Sequence, residues 1–359
     1  MKAYVLNGIG QLEYMDVSKP VLQEGFVLVE VMATGICGSD IPRIFENGTY
    51  HFPTIPGHEF AGVVKEVFSE KDQEWLGKRV AVFPLMPCKT CVVCRKQNYE
   101  MCSHYDFIGS RRDGSFAEYV AVPAWNLIEV PKDIPFEAAA MLEPAAVGVH
   151  ALRMVSWMNT LTKQEMKERS AVIFGPGTIG LLMAQWLKIF GVGKVIMVGT
   201  REVQRELALD LGGDFFVNST TADVVLEIMK QTDDEGVDIS IDCAGYGSVL
   251  GECLNVTKRG GDILIVGNPH GDVSMKRDVY WKLLRKQLRI YGTWNSSFIP
   301  ECDTDDWRET ILAILSGALQ PQKQITHCLA FDELHKGLEI MRNKSEYYNK
   351  IMILRDKKV

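Results

Sequence analysis

From about residue 170 the chain settles into a strand–helix–strand rhythm, and nothing else in its 359 residues constrains the fold as strongly. AVIFG runs into GPGTIGLLMAQWLKIFG, then come KVIMVG, REVQRELALDLG, VDISIDCAG, a helical stretch and GGDILIVG. Strands that are apolar throughout must be covered on both faces, and interposed amphipathic helices supply that cover. Right-handed βαβ connections then build a doubly wound parallel sheet. The first half reads differently. FVLVEVMATG, FAGVVKEVF, RVAVFPL and AEYVAV are short apolar runs punctuated by Gly and Pro, a strand-rich signature. After LRIYGTW the texture is mixed again and ends on the strand KIMIL. The chain is too long for one ordinary core. The predicted class is α/β, with a Rossmann-type sheet at 153–292 and a discontinuous β-rich domain formed by 1–152 and 293–359.

Composition excludes several functions. Hydrophobic residues make up 47% and charged residues 24%, with a formal net charge of −7, as in ordinary soluble proteins. Acidic and basic residues are mixed along the chain, so the concentrated basic footprint of a nucleic-acid or membrane-surface binder is missing. MKAYVLNGIGQLEYMDV has no long apolar segment and carries acids, unlike a signal peptide. No stretch approaches the roughly 20 apolar residues of a spanning helix. The expectation is a cytoplasmic protein.

The nine cysteines do not read as a disulfide framework in a large chain without an export signal. Cys88, Cys91, Cys94 and Cys102 are spaced C-x2-C-x2-C-x7-C. Four thiolates this close can enclose one Zn2+ tetrahedrally with no open position, stapling a loop that has little core of its own. A small iron–sulfur cluster also uses four cysteines.

Gly175, Gly177 and Gly180, in Gly175-Pro-Gly-Thr178-Ile179-Gly, follow a strand and open a helix. That setting permits a tight turn, close approach of a pyrophosphate to the backbone, and anion binding at the helix N-terminus. The second strand, KVIMVGTRE, ends unusually. Domains that prefer NAD place an acid there to bind the ribose 2′-hydroxyl. Here stand Gly199, Thr200 and Arg201, with Arg205 a turn later. Removing the carboxylate and adding arginine suits a 2′-phosphate, so NADP is favoured over NAD.

A dispersed set remains: Cys37 in GICGSD, His58 and Glu59 in PGHEF, and Glu143 in MLEPAAVGVH. Cys, His and a carboxylate from separate loops can hold a catalytic zinc and leave a position for substrate. Together with the four-cysteine loop and GPGTIG, these motifs resemble the zinc-containing medium-chain dehydrogenases along essentially the full chain. Within them they resemble the polyol and polyol-phosphate branch, to which CGSDIPRIFENG and YDFIGSRRDGSFAEY are especially similar. The resemblance implies a GroES-like catalytic domain and two zinc ions per subunit, one catalytic and one structural. It makes Cys37, His58 and Glu143 the catalytic ligands, Glu59 an alternative or water-bridged ligand, and Ser39 the hydroxyl that relays a proton from the substrate, with His51 a further relay candidate. It also implies a homodimer or homotetramer through the Rossmann sheet edge, for which GGDILIVGNPH would supply the strand.

The implied reaction is hydride transfer from a secondary alcohol of a sugar alcohol phosphate, galactitol 1-phosphate foremost, to NAD(P). Arg43, Arg111 and Arg112 are candidates for the phosphate, because arginine pairs with phosphate oxygens bidentately. Trp294 and Asn295 are candidates for the substrate cleft. Two alternatives stay open: an unphosphorylated polyol, diol or threonine-like alcohol, and a non-catalytic nucleotide-binding protein.

Overall fold

The computed structural model describes residues 1–355. The chain divides into two compact units: Met1–Pro144 with Ser297–Gly317 and the segment from Pro321 onward, and Ala145–Ser296 with Ala318–Gln320. The expected boundaries at 152/153 and 292/293 therefore move to 144/145 and 296/297. The first falls within the helix Leu142–Arg153, whose first turn belongs to the first unit. Farther along that helix, Ala145 O accepts a hydrogen bond from the fully buried Trp186 Nε1 at 3.0 Å.

The first unit begins with β1 (Lys2–Gly8), β2 (Gln11–Asp16), β3 (Phe26–Ile36), β4 (Glu59–Val67), β5 (Arg79–Val82), β6 (Leu85–Met86), β7 (Asp106–Phe107), β8 (Tyr119–Pro123) and β9 (Leu127–Glu129). The second unit contributes β10 (Ser170–Phe174), β11 (Lys194–Gly199), β12 (Phe215–Asn218), β13 (Val237–Asp242), β14 (Thr257–Ile265) and β15 (Arg289–Gly292). The chain then returns to the first unit for β16 (Ile325–Ala330) and β17 (Lys350–Leu354).

The main sheet of the first unit runs β16-β17-β3-β4-β5-β9, with β8 also paired to β3. Its interior is rich in β-branched residues, including Val27, Val29, Val31, Val64, Val80, Val82, Val120 and Val122, all buried, as suits a pleated packing surface. β3 changes partner along its length. Phe26–Glu30 lies against β8, and Ala33–Ile36 lies against β17, with β4 on its other side. This exchange carries the start of β17 and the start of β4 to either side of Gly35.

The second unit holds a parallel sheet in the order β12-β11-β10-β13-β14-β15, the doubly wound order of a dinucleotide-binding fold. GGDILIVGNPH is not its edge. Its strand is part of β14 and lies between β13 and β15, because Arg289–Gly292 adds one further parallel strand. No described helix is long and apolar enough to cross a membrane.

Candidate active site and metal centres

Cys37 follows β3 directly and His58 immediately precedes β4. Antiparallel pairing sets Gly35 opposite Glu59, so the ladder itself brings the two loops together. Cys37, His58 and Glu59 each offer a ligand atom within 4.8 Å of the others. Glu143, the expected third ligand, is buried but lies outside that trio, and Glu59, the expected alternative, lies inside it. Glu59 is tied to His58 by the chain, whereas Glu143 arrives on a separate helix and is repelled by Glu59. Burial raises the Glu143 carboxyl to about 7, with His58 opposing and Glu59 adding to the rise.

Two charged residues that sequence reasoning passed over organise this cluster. Asp40, fully buried, accepts from the Cys37 amide at 3.0 Å and sits 3.5 Å from His58 Nδ1. That second separation makes it a charge contact more than a formed hydrogen bond. Asp40 takes the Nδ1 side of the ring and leaves Nε2 as the nitrogen available to a metal, the usual carboxylate–histidine arrangement. Burial opposes a charged His58, yet Asp40 outweighs it and holds the imidazole well above its ordinary value. Arg43 is bound to Asp40 at 2.8 Å; the guanidinium expected on a substrate phosphate is engaged by this carboxylate.

The second residue is Lys350, buried at 2% exposure, which donates to Ile36 O at 3.1 Å and forms an ion pair with Glu59. The pair meets over Gly35. A Cβ there would stand 2.5 Å from Glu59 Oε2 and 2.7 Å from Lys350 Cε. Asp40 could have been noticed from its spacing three residues after Cys37. Lys350 shows in the sequence only as a charge opening the apolar strand KIMIL.

The donor set fits a divalent cation. Cys37, Asp40, Glu59 and Glu143 are potential anions, and Arg43 and Lys350 are the cations paired among them. With His58 neutral, as a metal ligand must be, four potential anions against two cations leave room for the two positive charges of one Zn2+. Ser39 Oγ donates to Cys37 Sγ at 3.3 Å, so the expected relay hydroxyl stands beside the cluster. His51 does not pair with it. Its Nδ1 lies 3.1 Å from both Pro53 O and Thr54 Oγ1, and its Nε2 lies 3.0 Å from Arg111 O. These contacts make His51 a clasp between two loops.

Cys88, Cys91, Cys94 and Cys102 converge with all four sulfurs within 4.8 Å of one another. Cys88 and Cys94 are 3.9 Å apart and Cys91 and Cys102 4.0 Å. Four sulfurs about 2.3 Å from one zinc stand about 3.8 Å apart. The spacing fits a single tetrahedral ion and is too tight for a cluster that spreads its cysteines over several irons. Thr90 lowers the Cys88 thiol to about 5, first through its hydroxyl and then its backbone amide, favouring the thiolate a metal needs.

In the second unit the three glycines have separate reasons. Gly175 turns at φ 96°. A Cβ on Gly180 would lie 2.1 Å from Gly175 O, while one on Gly177 would meet nothing within 4 Å. Gly180 thus permits helix–loop packing and Gly177 keeps an open face. Thr178 and Ile179 begin the helix Thr178–Phe190, whose N-cap is Gly177, a residue with no side chain to occupy the helix N-terminus, as suits an anion site. At the end of β11, Gln204 Oε1 accepts from the amides of Thr200 and Arg201, 3.1 Å each. Arg205 is engaged elsewhere than expected: it pairs with Glu202 and donates to Phe216 O at 3.0 Å.

Arg112 forms an ion pair with Asp106. Arg111 lies between the rings of Tyr50 and Tyr105, 4.1 and 4.5 Å from their centroids, and donates to Tyr105 O. Both arginines line, with His51, an open groove of about 670 Å3 that Cys37 and His58 do not line. Trp294 is half-exposed, and Asn295 Oδ1 accepts from the Ser296 amide at 2.9 Å in its own turn.

Comparisons with known proteins agree with this geometry. Residues 23–132 match the alcohol dehydrogenase GroES-like domain and residues 178–316 the zinc-binding dehydrogenase domain. The chain is 32% identical over 320 residues to galactitol 1-phosphate 5-dehydrogenase of Escherichia coli, covering 88% of this chain and 89% of that one. It is 32% identical over 338 residues to L-threonine 3-dehydrogenase of Pyrococcus abyssi, covering 92% of each. A crystal structure of a zinc-binding dehydrogenase from Sinorhizobium meliloti bound to NADP is similar at TM-score 0.87 and 27% identity, over 98% of each chain. The chain is an oxidoreductase and belongs to the zinc-binding alcohol dehydrogenase family.

Proposed function

We propose that this chain oxidises a secondary hydroxyl of a polyol, with a polyol phosphate such as galactitol 1-phosphate the first candidate, and that NADP takes the hydride. The carrying observation is the trio of half-buried Cys37 with buried His58 and Glu59, with Glu143 close enough to feel its charge and the Ser39 hydroxyl 3.3 Å from Cys37 Sγ. Cys37, His58 and one or both carboxylates would hold the catalytic zinc, and the four cysteines the structural one. Bound zinc supplies Lewis acidity that makes an alcohol oxygen easier to deprotonate. Asp40 orients His58, Lys350 balances Glu59, and Ser39 takes the alcohol's proton at Oγ while passing its own outward. Gly175, Gly177 and Gly180, with the first turn at Thr178 and Ile179, would receive the dinucleotide pyrophosphate. Gly199 without a carboxylate and Arg201 support a 2′-phosphate.

The resemblance to galactitol 1-phosphate 5-dehydrogenase supports the phosphorylated substrate, with Arg111 and Arg112 as its phosphate ligands and Trp294 and Asn295 as cleft residues. An unphosphorylated polyol or a threonine-like alcohol is favoured by a different observation: Arg43 and Arg112 are already neutralised by Asp40 and Asp106. A screen of free and phosphorylated polyols, and of threonine, against NAD and NADP decides between them. The expected outcome is a kcat/KM advantage for the phosphorylated substrate that R111A/R112A removes by raising KM. An advantage untouched by that double variant would overturn the phosphate assignment. Replacement S39A is expected to lower kcat about 100- to 10,000-fold, the range for a positioned proton carrier, with KM little changed.

A homodimer through the β15 edge completes the proposal. Ile290 on that strand, and Tyr280, Trp281 and Leu284 on the helix Arg277–Arg285, are exposed apolar side chains of the kind that seek a partner.

A further inference from the structure

The acid that would bind a 2′-hydroxyl has no room at the end of β11. A Cβ on Gly199 would stand 2.7 Å from Gln204 Oε1 and 2.8 and 2.9 Å from two carbons of the Phe216 ring. These distances are well inside van der Waals contact, and both obstacles are held in place. Gln204 Oε1 is fixed by the two amides it accepts from, those of Thr200 and Arg201. Phe216 is buried at 6% exposure, with the Arg205 guanidinium 5.0 Å from its ring centroid. Arg205 is itself clamped by Glu202, which also accepts from Asn218 Nδ2 at 3.3 Å. Just past the end of β12 the Ser219 amide donates to Gly199 O at 2.8 Å. The position is closed by a network, not by one adjustable side chain.

We propose that Gln204 and Phe216 are specificity-determining residues: together they plug the space a residue-199 carboxylate would occupy, and Gln204 sets the Thr200–Arg201 backbone in the shape that receives a phosphorylated ribose. The assignment rests on the NADP reading above and adds its physical cause. A carboxylate introduced at 199 would meet the rigid ring, and its oxygens would face Gln204 Oε1, an acceptor with no hydrogen to offer. The loop is therefore closed to carboxylate readout of a ribose diol. Substitution at 199 alone cannot convert it, and opening the plug first can.

Titration of NADPH and NADH against the zinc-loaded protein, followed by nucleotide fluorescence, tests this through Kd without turnover. The set is wild type, Gly199→Asp, Gln204→Ser/Phe216→Val, and the triple combination. Gly199→Asp alone is expected to lose NADPH affinity without gaining NADH. The triple variant is expected to bind NADH at least about tenfold tighter than the single one, some 1.4 kcal/mol. A single Gly199→Asp that binds NADH as well as the triple variant overturns the plug, and so does a Gln204→Ser/Phe216→Val protein with unchanged NADPH affinity. Gly199→Ala guards against misfolding and adds only a Cβ: it should weaken nucleotide binding in the wild-type background and be neutral once the plug is opened. Equal effects in both backgrounds overturn the proposal. Wild-type preference for NADH would sink the cofactor reading and with it the role of Gln204 in shaping the loop for phosphate, while the Gly199→Ala pair still reports on the plug whatever the 2′ substituent.

Discussion

At the catalytic cluster, two of the charged residues that organise it, Asp40 and Lys350, are not themselves among the expected metal ligands. Asp40 works through His58, and its contact is electrostatic and fully buried. Replacement D40N keeps the shape and removes the charge. It is expected to weaken zinc retention about 10- to 100-fold, the usual effect of losing such a partner, as read by competition with a chromophoric chelator. Unchanged retention would reduce Asp40 to packing. Lys350 is expected to behave differently. Replacement K350M leaves Glu59 buried without its counter-charge, a loss of about 3–5 kcal/mol measurable by urea unfolding. The candidate ligands Cys37, His58, Glu143 and Glu59 were legible as residue types in motifs. Their ranking was not, because it depends on which carboxylate the β3–β4 ladder and the Glu59–Glu143 repulsion leave nearest the thiol.

At the scale of elements, the parallel sheet is pinned at one end by an acid. Asp238 on β13 accepts from Arg169 at 2.7 Å and from the Ser170 amide at 2.9 Å, and pairs with Lys258 at 2.5 Å. It thereby ties the starts of β10, β13 and β14. Burial alone would raise its carboxyl, but Lys258 and then Arg169 and Ser170 outweigh it and lower it below 3.8. A group depressed in the folded state stabilises above its unfolded pKa and loses that contribution as pH falls through the folded value. Replacement D238N should therefore cost roughly 2 kcal/mol at neutral pH, and the gap to wild type should close in strong acid. A pH-independent gap in denaturation midpoint would contradict the assignment. Element type was readable here because fully covered strands are continuously apolar. The place of β15 at the sheet edge was not, since Arg289, Ile290 and Gly292 are exposed and lack the buried signature that marked GGDILIVG.

At the scale of the molecule, the proposed function assigns different ligands to the two units, which should then respond to them separately. Nucleotide at about 100 times its Kd should stabilise the Ala145–Ser296 unit by about 2.7 kcal/mol. A zinc chelator should loosen the four-cysteine loop, whose cysteines are held chiefly by one another and by Tyr99, Tyr105, Trp125 and Ile299. Peptide-resolved hydrogen exchange distinguishes the two. Chelation is expected to raise exchange around residues 88–102 and leave β10–β14 protected; loss of protection throughout would mean that the zinc supports more than its own loop.

Read in one dimension, the chain already showed the class of fold, the glycine turn between β10 and its helix, the close spacing of four cysteines and the residue types around Cys37 and His58. All of these rest on local spacing: period of apolar residues, glycines at a turn, thiols a few residues apart. What each side chain is free to do became visible in the folded chain. Arg43, Arg112 and Arg205 are cations in the sequence and paired cations in the fold. Lys350 meets Glu59 across 291 residues of chain, over a glycine that has no side chain to separate them. Gly199 reads as a missing acid, and the fold shows the space already filled by Gln204 and Phe216. Burial and pairing are properties of neighbours brought together by the sheet, and one-dimensional spacing does not contain them.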